Sequence, residues 1–234
     1  MLYGFDPLYF LILAPGMLLA AWAQWRIQSA YQQASQYGSR SGVTGAQAAA
    51  AVMSAGGVQG VGIEPTHGYL SDHYDPSAKV LRLSEGVYGT ASLAALGIAA
   101  HEAGHALQDA HRYGPLVVRN LMVPVASFGS SAAWIVMLAG FLLHFTGLVW
   151  VGIGLFSATV LFQVINLPVE FDASRRARIE LQRVGLVSVE EDAVVGKVLN
   201  AAALTYVAGT LTSILTLFYY LLRSGLLGGG RRED

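Results

Sequence analysis

Cysteine is absent from the chain, which rules out disulfides and thiolate metal ligands, so any zinc must be held by nitrogen and oxygen. Charge is scarce too: 12% of the 234 residues are Asp, Glu, Lys or Arg, well below the roughly 25% of an ordinary soluble domain. With a net charge of −1 there is no basic excess to suggest nucleic acid, and the basic residues matter through their placement. Histidine is rare, six in all, yet three of them fall within "HEAGHALQDAH" at 101–111. What the chain has in abundance is apolar sequence, 54% of it, and that balance makes a membrane protein the leading expectation.

The apolar residues come in runs. From Leu8 to Trp25 nothing is charged, a length that just spans a hydrocarbon core about 30 Å thick, with Tyr9, Trp22 and Trp25 suited to its interfaces. No basic n-region and no clear small-residue cleavage site precede Arg26, so the run reads as a retained anchor rather than a signal peptide. Residues 121–143 and 148–167 form two more spans separated by "HFTG", a membrane hairpin. The stretch from Ala201 to Leu222 is the fourth, with Tyr219, Tyr220 and Arg223 at its interfacial end.

Between the runs the sequence is wetter. Ile27, Tyr31 and Ala34 keep helical spacing, so the first span continues as a helix until "GSRSG" at 38–42 breaks it. Thr44 and Gln47 have the spacing of a capping box before an alanine-rich helix that ends at Gly56 and Gly57. "GGVQGVG" lacks the lysine of a phosphate loop and reads as a helix-ending loop. Asp75-Pro76 signals a turn, and Val80 to Ser84 alternates as a half-buried strand does. Thr90 can cap a helix from about 91 to 110, and Ser188 with Glu191 forms a second capping box opening a helix that continues into the fourth span.

The helix at 91–110 carries "HEAGH". Four residues apart, His101 and His105 project from one helical face and can share a zinc at about 2.0–2.1 Å, with Glu102 beside them to take a proton from water. Zinc then needs a third protein ligand, and two residues compete. His111 stands six residues after His105, the metzincin spacing, but Gln108 occupies the place of the glycine that would let the helix end and turn back. A continuing helix carries His111 away from the metal, where it suits the helix C-terminus. Glu170 follows the membrane hairpin as the motif precedes it, so both return to one membrane face. Asn166 and Pro168 mark the exit, and a helix from about Val169 presents Glu170 near its start. The competing reading leaves Glu170 in water beside Arg175 and Arg176.

"SDHYDPSAKVLRLSE", "AAHEAGHALQDAHRYGPLVVR" and "PVEFDASRRA" together resemble the bacterial YugP-like membrane zinc metallopeptidases over nearly the whole chain. More distantly the chain is similar to the HtpX and CaaX prenyl protease gluzincins. The resemblance implies His101, His105 and Glu170 as ligands of a Zn²⁺ cofactor and Glu102 as general base. In those distant relatives an aspartate follows the glutamate by four residues, whereas here Ser174 stands there and an aspartate sits at 172. Either Ser174 orients a zinc histidine or Asp172 serves another partner, such as Arg175 or Arg176. "KVLRLS" could act as an edge strand that pairs with extended substrate, or be an ordinary structural strand. Tyr206 is a possible oxyanion donor or an interfacial tyrosine. His67 and His73 suit solvated loops, and His144, in the hairpin turn, belongs away from the zinc.

The resulting expectation is a mainly α integral membrane protein with about four transmembrane helices, a zincin-like catalytic helix and a short β region on one membrane face. Its segments are an anchor at 1–25, a catalytic segment at 26–120, the hairpin at 121–167, a segment bearing the third ligand at 168–200, a fourth membrane helix at 201–223 and a polar tail at 224–234. The function expected is zinc-dependent endopeptidase activity on peptide or protein substrates in a multi-pass cell-membrane protein. A site-2-type intramembrane protease and a zinc-stabilised scaffold are the alternatives. Eleven of the fourteen basic residues fall in 26–120 and 168–200, which by the positive-inside rule puts the catalytic side in the cytoplasm. Oligomeric state has no signature in the sequence.

Overall fold

The structure is a computed structural model, and it describes residues 6–224, so residues 225–234 of the polar tail lie outside the described residues. The described chain runs α1 (Pro7–Ser35), α2 (Gly45–Ala55), β1 (Gly62–Thr66), β2 (His73–Asp75), β3 (Val80–Ser84), α3 (Glu85–Tyr88), α4 (Leu93–Ala110), α5 (Gly114–Leu142), α6 (Thr146–Arg183) and α7 (Val189–Arg223). By length and composition α1, α5, α6 and α7 could each cross a membrane.

Local signals set several boundaries. Thr44 and Gln47 form the capping box of α2. At α7, Ser188 and Glu191 exchange backbone and side-chain hydrogen bonds of 2.9 and 3.2 Å, and the other Glu191 oxygen accepts from Arg40 N at 2.9 Å. Helix α4 departs from expectation. It starts at Leu93, capped by Ser92 rather than Thr90. Residues 91–93 are pinned in an extended bridge first: Ser39 N donates to Ala91 O at 2.9 Å and Leu93 N to Tyr37 O at 2.9 Å.

A second departure is α6, which runs without a break through Pro168 instead of restarting near Val169. Proline removes one helical N–H, but its fixed φ is helical, and neighbouring groups in a packed helix absorb the loss.

The sheet order is β1-β3-β2, with β1 parallel and β2 antiparallel to β3. "KVLRLS" is therefore the central strand, not an edge. Leu81 and Leu83 are fully buried on one of its faces, and its backbone pairs with β1 along one edge and β2 along the other. The edges are β2 and β1, the latter carrying Pro65, which has no N–H to donate and suits an edge.

The chain divides into two compact units. The described part of one comprises residues 6–22, 118–166 and 206–224. Leu13, Met137, Ile153, Phe156 and Tyr219 belong to its core. There a Cβ on Gly140 would meet Val149 N at 2.7 Å, the close helix approach that small residues permit in apolar surroundings. Its outward face is apolar too, with Leu18, Leu121, Phe128 and Ile135 each at least 70% exposed, far more apolar surface than a soluble domain presents. The other unit comprises Ala23–Val117 and Leu167–Thr205, and α2, β3, α4, the end of α6 and the start of α7 meet in its core around Val52, Leu83, Leu96, Leu181 and Val195.

Candidate metal centre

Within that second unit α4 presents a stripe at i, i+3, i+4 and i+7: His101, Gly104, His105 and Gln108. The spacing places all four on one helical face. Gly104 brings α4 close to α6, because a Cβ there would lie 2.5 Å from the carbonyl oxygen of Ala173. One turn before Ala173, Glu170 points its carboxylate at the two imidazoles. Glu170 Oε2 lies 3.2 Å from His101 Nε2 and 3.6 Å from His105 Nε2, and the two rings stand at 82° with centroids 4.8 Å apart.

The three donors could hold one metal ion, since an atom from each lies within 4.8 Å of the others. A tetrahedral zinc with bonds of about 2.0–2.1 Å separates its ligand atoms by about 3.3 Å, close to the distances between Glu170 and the histidines. Two neutral imidazoles and a carboxylate are a donor set that would hold zinc without thiolate. Glu102, on the same helix, is only 9% exposed.

The ring orientations are held from behind. Gln108, fully buried, donates from Nε2 to Val169 O at 2.7 Å and to Asp172 Oδ2 at 3.0 Å. With its amide nitrogen so assigned, its Oε1 accepts from His105 Nδ1 at 3.0 Å. That fixes the tautomer of neutral His105 with its Nε2 lone pair toward Glu170. Asp172 in turn is gripped by Arg175 and Arg176. His101 Nδ1 lies 3.1 Å from Ser174 Oγ. The departure at 172 and 174 thus divides the work: Ser174 touches one histidine directly, and Asp172 reaches the other through Gln108. Burial opposes protonation of His105, but the Glu170 carboxylate and the Glu102 charge outweigh it and raise its pKa above the ordinary histidine value.

His111, His67 and His73 have partners of their own. His111 is the exposed C-cap of α4 and meets Arg176 Nη1 at 3.2 Å. His67 pairs with Glu85 at 3.1 Å and His73 with the Ser71 carbonyl at 2.9 Å, both exposed. Tyr206 is half-buried in α7 and, like His144, falls in the first unit. Gln108 was missed as a positioning residue. From sequence it is only a helix-compatible residue three after His105, a spacing that permits the contact without announcing it.

Known proteins show which family the chain falls in. Residues 9–225 match the family described as "Putative neutral zinc metallopeptidase". The chain is also 44% identical over 216 residues to "Putative membrane protease YugP" of Bacillus subtilis (strain 168), covering 92% of this chain and 95% of that protein. No solved structure matches the chain. A match over nearly the full length, with the zinc-compatible donors inside it, leads to one statement: the chain belongs to this neutral zinc metallopeptidase family.

Proposed function

We propose that the chain is an integral-membrane zinc endopeptidase hydrolysing peptide bonds of peptide or protein substrates at the membrane surface, with His101, His105 and Glu170 as metal ligands. The observation that carries this reading is the convergence of three donors at zinc spacing, with a barely exposed Glu102 on the same helix. When bound, zinc supplies Lewis-acid activation of water and of the scissile carbonyl. Glu102 takes the proton that water loses and returns it to the leaving amine. Ser174 and Gln108 keep the imidazoles aimed while this happens. No covalent enzyme intermediate is required.

A site-2-type protease would draw an aspartate ligand from a later span, and residues 121–143, 148–167 and 201–222 contain none. Metal analysis of the purified chain tests the ligand set. The expected content is one zinc per chain, kept by His111→Ala and lost by Glu170→Ala. The opposite pattern removes Glu170 from the site.

We also propose that the four apolar helices insert as a multi-pass bundle in the cell membrane, leaving 26–120 and 168–200 on the cytoplasmic side. Arg26, Arg40, Arg112, Arg119 and the basic residues from Arg175 to Arg183 all lie within the roughly 15–20 residues of span ends over which the positive-inside rule counts. The absence of cysteine allows a clean topology test. Gln36 and Thr146 are both exposed, so single cysteines there should react when accessible. In intact cells an impermeant thiol reagent should label position 146 and spare position 36, and the reverse labelling would invert the topology.

A further inference from the structure

We infer that the juxtamembrane groove between α1 and α7 is a binding site for the phosphate headgroup of an anionic phospholipid, an inference that rests on the membrane reading above. The groove encloses about 380 Å³ and is lined by Trp25, Arg26, Ser29, Gln33, Tyr37 and Lys197 among others. No aspartate or glutamate is among its described lining residues. Two separate features of the sequence meet here. The charge-free run of α1 ends at Trp25 and Arg26, and the charge-free run of α7 begins just after Lys197. Each helix therefore carries its first cation at the depth where hydrocarbon gives way to headgroups, and the fold turns both cations toward one groove.

The other walls suit the same ligand. Trp25 is 61% exposed, as an interfacial indole is. Ser29 Oγ and Gln33 Nε2, one turn apart and 3.3 Å from each other, offer hydrogen bonds to phosphate and to a glycerol headgroup. Beneath them Ala34 is buried against Ala94 and Val198, so the floor of the groove is also the packing of α1 on α4, the helix of the metal site. A cationic hollow at headgroup depth complements a phosphodiester of net negative charge better than a zwitterionic one, whose ammonium would meet two like charges.

The test counts lipids retained by the full chain, by native mass spectrometry, from micelles holding phosphatidylglycerol and phosphatidylcholine in equal amounts. Wild type should retain one phosphatidylglycerol in preference. Each charge near an anionic surface contributes about fivefold, so Arg26→Gln with Lys197→Gln should reduce the preference by about 25-fold. Gln33→Trp, which fills the groove and keeps both charges, should reduce it as well. Arg112→Gln with Arg183→Gln removes the same charge elsewhere and should leave it intact. An unchanged preference in the groove variants, an equal loss in the distant pair, or no preference in wild type overturns the proposal. Release of the chain from membranes by alkaline carbonate would instead sink the membrane reading itself.

Discussion

Glu102→Gln should keep one zinc per chain and hydrolyse peptides about a thousandfold more slowly, a loss of about 4 kcal/mol of transition-state stabilisation. Glutamine matches glutamate in shape, so the barely exposed position stays filled and the ligands stay placed. What is lost is the ability to accept a proton. Zinc content is measured by metal analysis and turnover with a membrane-protein substrate panel. Undiminished turnover would dismiss Glu102 as the base. If wild type and variant both hold zinc and neither cleaves anything, the zinc-stabilised scaffold becomes the better description.

Gly104→Ala is expected to reverse a general rule. Replacing glycine by alanine inside a helix normally gains about 1 kcal/mol. At Gly104 the added Cβ would lie 2.5 Å from the Ala173 carbonyl oxygen, a backbone atom that cannot rotate away. The helices must separate, and overpacking of this kind costs about 1–3 kcal/mol. Glu170, one turn from Ala173, moves with α6, so zinc affinity should fall by about 10–100-fold, the range typical when a ligand's supporting contacts are disturbed. The control is Gly154→Ala in α6, the helix that carries Glu170, where a Cβ would meet nothing within 4 Å. Thermal melting of the metal-free chain and zinc titration read the two effects separately. Equal behaviour of the two variants would mean that the α4–α6 approach does not govern the site.

Much of the architecture is legible in the sequence, and for local reasons. Uncharged runs of membrane length, capping boxes at Thr44 and Ser188 and the i, i+4 spacing of His101 and His105 are statements about neighbours in sequence, and helices are built from such neighbours. The strand at Val80–Ser84 showed itself by alternation for the same reason. Its place in the middle of the sheet could not show itself, because alternation reports which face is buried and says nothing about how many strands lie alongside. The cap of α4 moved from Thr90 to Ser92 because residues 37–39, some fifty positions earlier, hold 91–93 extended.

The metal site divides along the same line. That two histidines and a glutamate share a helix is periodicity. That Glu170 comes within 3.2 Å of His101, that α6 continues through Pro168 to carry it there, and that Gln108 rather than a directly bonded aspartate aims His105 were settled by how α4 packs on α6. Contacts between residues more than sixty positions apart depend on interlocking surfaces, and a helix's own periodicity specifies the face it will bury but not the partner it will meet.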